Sequence, residues 1–193
     1  QLLTDAKVTV DVLSHDAVRL ADIERDSSVP ADVFRTLASF TPATGNHPEG
    51  NTNNVNTDAN GEHGADTYLL HREVDLCDGA SGAPLVYASS WWTESAATAY
   101  GIVDGATGAA SDRPVWNHLS DAKTELYREV RRVCLGNAPA LEKAWKVRGP
   151  FWARHYIFWS GAQPLCVIYE VFSPELERFL GARTAGTGAE DKI

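Results

Sequence analysis

The chain has 193 residues, with 17 lysines and arginines against 26 aspartates and glutamates, a formal net charge of −9. So acidic a balance argues against a nucleic-acid or anionic-membrane partner, since either needs a basic patch. No apolar run approaches the roughly 20 residues that span a bilayer, and the first residues lack a basic-then-apolar leader pattern, so a soluble cytoplasmic protein is the expectation.

The length suits one domain, expected over 1–183 with a polar tail at 184–193. Near the start, Thr4 or Asp5 offers an N-cap ahead of Val8, Val12 and Leu13, which predicts a short helix. Ala17 to Glu24 then alternates, Val18 and Leu20 opposite Arg19 and Ala21, as a first strand. Pro30 opens a helix from Ala31 to Phe40, where Val33, Phe34, Leu37 and Phe40 form one apolar stripe. From Thr41 to Asp66 the composition turns to Asn, Gly, Thr, Asp and Pro: a long loop, either an insertion or a functional lid.

Tyr68 to Ser89 reads as a β-hairpin. Leu69, His71, Glu73, Asp75 and Cys77 fall on one face of its first arm, and Tyr68, Leu70, Arg72, Val74 and Leu76 on the other. Arg72 is out of place on that apolar face, because burying a guanidinium costs several kcal/mol or more unless an anion meets it. Asp78-Gly79-Ala80-Ser81-Gly82 supplies the turn and Pro84 to Ala88 the return arm. The turn has some likeness to the nucleophile loop of chymotrypsin-like proteases. Only about 80 residues precede Ser81, with His15 as the sole histidine before the long loop, so turn chemistry is the better explanation.

Pro114 to Leu119 reads as a short proline-started helix. Thr124 to Val133 fits two templates: Leu126, Val130 and Val133 suit a helix, and Leu126, Arg128 and Val130 a strand face. Pro139 to Lys146 suits a helix ended by Gly149-Pro150. Phe151 to Phe172 forms a second hairpin around Ser160-Gly161-Ala162, in whose second arm Glu170 shares a face with Cys166, Ile168 and Phe172. Ser173 to Leu180 then makes a capped terminal helix.

An arginine and a glutamate thus sit in apolar settings on separate hairpins. They can pair with each other, or line a pocket in which Arg72 forks a substrate carboxylate and Glu170 handles a hydroxyl or proton. Arg154 and Arg128 are further candidates for that cavity. The cysteines, Cys77, Cys134 and Cys166, lack Cys-x-x-Cys spacing and fit reduced thiols. The six histidines show no His-x-x-x-His or Glu-x-x-His spacing and no Gly-rich phosphate loop appears, so neither metal nor cofactor is expected.

In their order and spacing, several segments together resemble the chorismate pyruvate-lyases and the related UTRA ligand-binding domains. They are Leu2-Leu3-Thr4-Asp5 with Val8-Thr9, Arg72-Glu73-Val74, Gly82-Ala83-Pro84-Leu85-Val86-Tyr87-Ala88, Arg128-Glu129, Arg154 with Tyr156, and Pro164-Leu165 leading to Glu170-Val171-Phe172. The resemblance implies an α+β fold: a central six-stranded antiparallel sheet with helices packed on it and flap-like segments over an enclosed pocket. The expected strands are Ala17–Glu24, Tyr68–Leu76, Ala83–Ser89, Thr124–Arg131, Trp152–Ser160 and Pro164–Phe172. It also implies a cofactor-free lyase acting on chorismate, or a relative acting on another carboxylate. Arg72 would then hold the product carboxylate and Glu170 contact its hydroxyl, with Arg154, Arg128 and Tyr156 as further substrate contacts. The partner expected is a small molecule, with no nucleic acid or membrane and the oligomeric state open. A cyclase or pericyclase of specialised metabolism, favoured by Trp152, Tyr156, Phe158 and Trp159, and a non-catalytic binding module are the alternatives.

Overall fold

The computed structural model describes residues 8–26, 29–40, 68–104, 109, 111, 113–121 and 125–179. Along the chain run β1 (Val8–Arg19), α1 (Leu20–Arg25), α2 (Ala31–Phe40), β2 (Tyr68–Asp78), β3 (Pro84–Trp92), α3 (Glu94–Ala99) and α4 (Val115–Asp121). They continue with β4 (Leu126–Gly136), α5 (Pro139–Trp145), β5 (Phe151–Ser160), β6 (Gln163–Phe172) and a 3-10 turn, Pro174–Phe179. The strands form one six-stranded sheet in the order β1-β2-β3-β6-β5-β4, every neighbouring pair antiparallel. The α+β class and the six-stranded antiparallel sheet are those expected.

Both faces of the sheet are covered, which consecutive residues of the central strands make possible by pointing opposite ways. On one face Leu69, Trp91, Ile157 and Val167 pack with Ile23 of α1 and Val33 and Leu37 of α2. On the other, Trp92, Tyr156, Phe158, Cys166 and Ile168 pack with Ala96 and Ala97 of α3 and Leu119 of α4. Trp91 and Trp92, neighbours in sequence and both buried, therefore belong to different cores.

Two expectations at the N-terminal end are corrected. Val8 onward is strand, not helix: Val8, Val10 and Val12 turn inward at period two while Thr9, Asp11 and Leu13 stay exposed, and β-branched residues in that pattern suit a pleated surface. The strand expected over Ala17–Glu24 ends at Arg19, and Leu20–Arg25 is helical. There Asp22 pairs with Arg19 at the N-cap (2.7 Å) and, one helical turn on, with Arg25 (3.4 Å), i,i+3 spacings that a helix brings together, and Ile23 fills the core. Of the ambiguous Thr124–Arg131 segment, Leu126 onward belongs to β4, paired with β5 through a register shift between Val130 and Arg132, and Thr124 lies outside the described residues. The terminal helix is a 3-10 turn. The Thr4/Asp5 cap, the 41–66 loop and the 184–193 tail lie outside the described residues. Among the described residues no helix is long and apolar enough to cross a membrane.

Ser81 serves the turn. Its hydroxyl donates to the Asp78 carboxylate at 2.5 Å, and the backbone N–H groups of Ala80 and Ser81 donate to the same side chain.

Three histidines give the fold a pH dependence. His71 is stacked on Trp91 at 4.9 Å, with Nε2 2.7 Å from the Ser89 hydroxyl. His155 is 4% exposed, and His15 lies across from Arg72 in the β1–β2 register. Burial pushes all three below the ordinary imidazole range, outweighing the nearby carboxylates that favour the charged form. Between the folded and unfolded pKa values the unfolded chain binds more protons, so stability is lost as pH falls below about 6.5. The melting temperature is expected to drop between about pH 7 and 5, ahead of carboxylate protonation near 4; a flat profile there would refute the neutral buried imidazoles.

Candidate active site

Arg72 stands in the middle of β2, paired across the ladder with His15 of β1 and Ser90 of β3. Its residue is 2% exposed. Buried guanidinium N–H groups need acceptors, and Nη2 finds two, the backbone carbonyls of Ser111 (2.8 Å) and Arg113 (3.2 Å). These two residues lead into Pro114 and Val115 at the start of α4. Ser90 supports the strand from the other side, its hydroxyl donating to the Arg72 carbonyl at 3.3 Å and accepting from Trp92 Nε1 at 3.0 Å.

The same face carries a cavity of about 110 Å³ lined by Arg72, Val74, Leu76, Ala88, Ser90, Pro114, Val115, Arg128, Tyr156, Phe158, Ile168 and Glu170. That is several times the roughly 10–15 Å³ that admits one water, the scale of a single substituted ring. Arg72, Val74 and Leu76 reach it from β2, and Ile168 and Glu170 from β6, by the two-residue period of each strand.

Glu170 does not pair with Arg72. One carboxylate oxygen accepts from Arg154 Nε at 2.6 Å and the other from the Tyr156 hydroxyl at 2.9 Å, with Arg154 directly opposite on β5. The Glu170 side chain is 13% exposed and that of Arg154 31%, so the acid is sheltered and its counter-ion faces the solvent side. A carboxylate offers about four acceptor sites; two are filled, leaving Glu170 able to accept from a ligand hydroxyl. Burial and the Glu170 charge push the Tyr156 phenol well above its ordinary range, which keeps it a protonated donor.

Arg128 reaches the cavity from the edge strand β4. Its guanidinium carbon lies 4.7 Å from the centre of the Tyr156 ring and 5.0 Å from that of Phe158, within cation–π range, and the residue is exposed, which places a cation at the cavity mouth. Of the residues named from sequence, Arg72, Glu170, Arg128 and Tyr156 meet at this cavity. Arg154 stands behind Glu170, 5.2 Å from the Tyr156 ring and 5.1 Å from that of Phe172. Sequence reasoning missed the Ser111 and Arg113 carbonyls that meet Arg72 and the cavity-lining Pro114 and Val115, whose only local signal is the helix-starting Pro114. Strand parity did place Val74, Leu76 and Ile168 beside the two charges.

A larger, open groove of about 420 Å³ lies on the opposite face, lined by Asp32, Arg35, Thr36, Ser39, Arg131, Arg132 and His155. Two of its cations are already matched, Arg132 by Asp32 at 3.0 Å and Arg131 by Glu129 at 3.1 Å. Among the described residues no group of three or more His, Cys, Asp or Glu side chains is placed to hold a metal ion.

Comparison with known proteins agrees with this architecture. The chain is similar to structures of a possible transcriptional regulator YydK from Bacillus subtilis (TM-score 0.57, 13% identity, 93% of this chain and 64% of that one) and of the ligand-binding domain of a putative GntR-family regulator from Bordetella bronchiseptica (TM-score 0.52, 13% identity, 88% and 85%). At that identity the likeness concerns the fold. Among curated proteins it matches the uncharacterized protein ycf21 of Cyanophora paradoxa (38% identity, 47% of this chain and 44% of the relative) and that of Pyropia yezoensis (31%, 61% and 63%). The chain spans about half to three fifths of the length of these relatives. A family model described as chorismate pyruvate-lyase, Rv2949c-like, matches residues 46–180, a span that contains every residue lining the 110 Å³ cavity, and the chain belongs to that family.

Proposed function

We propose that the protein is a lyase that eliminates pyruvate from chorismate to leave 4-hydroxybenzoate. The observation that carries the reading is a one-ring cavity with a buried arginine, Arg72, and a sheltered carboxylate, Glu170, on its wall. In the reaction the ring carbon bearing the hydroxyl loses its proton and the ether C–O bond breaks. The released electron pair completes the aromatic ring, and the enolpyruvate that leaves takes up a proton at its methylene carbon. The electrons stay within the substrate and aromatisation drives the step. The protein's part is therefore orientation and proton movement. Arg72 would hold the ring carboxylate, Glu170 with Tyr156 would meet the hydroxyl side, and Arg128 would face the second carboxylate at the mouth. Arg154 would position Glu170.

A second reading, that the cavity binds a small carboxylate without converting it, is favoured by the fold shared with the Bordetella ligand-binding domain. A cyclase acting on a large apolar substrate fits a 110 Å³ cavity poorly. Incubation with chorismate separates the two surviving readings: pyruvate and 4-hydroxybenzoate in equal amounts support the lyase, and binding of 4-hydroxybenzoate with no turnover of chorismate supports the module.

A further inference from the structure

The open groove of about 420 Å³ on the other face of the sheet has a basic wall in a chain of net charge −9. Asp32, Arg35, Thr36 and Ser39 stand at i, i+3, i+4 and i+7, one face of α2. Opposite them are Arg131 and Arg132 of β4 and His155 of β5. Consecutive residues of a regular strand point to opposite faces, yet Arg131 and Arg132 both line the groove. The cause is a bulge. Val130 pairs with Tyr156 and Arg132 with His155, which are neighbours on β5, so Arg131 is an extra residue with no partner across that ladder. Such bulges re-aim side chains and are frequent beside functional sites.

The protein answers only part of this positive charge. Asp32 accepts from Arg132 at 3.0 Å. Glu129 accepts from Arg131 at 3.2 Å but also from Trp159 Nε1 at 2.9 Å. Arg35 makes no ion pair among the described residues. The Arg131 and Arg132 side chains are 41% and 58% exposed, so a ligand can reach them. The Thr36 and Ser39 hydroxyls donate to the Asp32 and Thr36 carbonyls at 2.9 and 2.7 Å, and a hydroxyl hydrogen can rotate toward an anion instead.

We infer that this groove is a second ligand site, for a small molecule carrying a phosphate or pyrophosphate group, with Arg35, Arg131 and Arg132 as its donors. Guanidinium forks match phosphate oxygens two at a time. The volume lies within the roughly 300–1,000 Å³ usual for small-molecule sites, which leaves room beyond the phosphate. The site is independent of the lyase reading, because His155 faces the groove while Tyr156, the next residue of β5, lines the cavity on the other side of the sheet.

The test is calorimetric titration of the whole chain with pyrophosphate at fixed ionic strength. One saturable site per chain is expected. Arg35→Ala and Arg131→Ala are each expected to weaken it roughly tenfold, the scale of a charge-assisted hydrogen bond at a partly exposed site. Arg35→Lys, which keeps the charge and loses the fork, should weaken it less. Arg178→Ala removes the same charge from the 3-10 turn and should change nothing; a thermal melt of each variant confirms that it is folded. Absence of saturable binding overturns the site, as does unchanged affinity in both Arg35→Ala and Arg131→Ala. An equal loss in Arg178→Ala also overturns it, since net charge would then account for the binding.

Discussion

Glu170→Gln is expected to lower kcat on chorismate by a factor of roughly 100 to 10,000, the usual contribution of a positioned acid or base, with a much smaller effect on KM. Glutamine keeps the shape, with its carbonyl oxygen able to accept from Arg154 Nε, which now meets Glu170 at 2.6 Å, and its NH2 facing the Tyr156 oxygen, which now donates at 2.9 Å and would have to accept instead. What is lost is the charge and the ability to take a proton. Stability should suffer little, because the Arg154 side chain is 31% exposed and water can solvate it; an ion pair with such access contributes at most about 1 kcal/mol. Steady-state kinetics beside a thermal melt check this. A loss confined to KM would show that Glu170 serves binding alone, and a fall in activity matched by unfolding that it supports structure; either would rule out its part in proton transfer.

Arg72→Ala should weaken 4-hydroxybenzoate binding by about 2 kcal/mol or more, roughly thirtyfold in Kd, because a charge-assisted fork disappears from a desolvated wall. The variant also removes the donor to the Ser111 and Arg113 carbonyls. Ligand-induced melting shifts measured on both proteins decide it. Equal shifts would show that Arg72 does not hold the carboxylate.

The sheet, and the placing of two charges on one cavity wall, were legible because both follow from a period of two. Arg72 stood out among Leu70, Val74 and Leu76 on the apolar face of its strand, and Glu170 among Cys166 and Ile168, and those faces do meet at the cavity. What partner each charge takes was not legible. Arg154 lies opposite Glu170 through a cross-strand register that no local pattern encodes, and Arg72 is met by carbonyls of an irregular segment about 40 residues away in sequence. The N-terminal misreading has a different origin. A capping signal and three valines pulled in opposite directions, and pairing with β2 from Val8 onward decided for the strand. At Leu20–Arg25 the reverse happened, because the Arg19–Asp22 pair and the burial of Ile23 reward a helix where alternation alone suggested a strand.

The central claim, that this cavity converts its ligand and does not merely hold it, is tested most directly by a single-turnover incubation with the protein in excess over chorismate. The account predicts pyruvate and 4-hydroxybenzoate appearing together, one of each per chorismate consumed, with the rate collapsing in Glu170→Gln. Chorismate recovered intact from saturating protein that binds 4-hydroxybenzoate would contradict it.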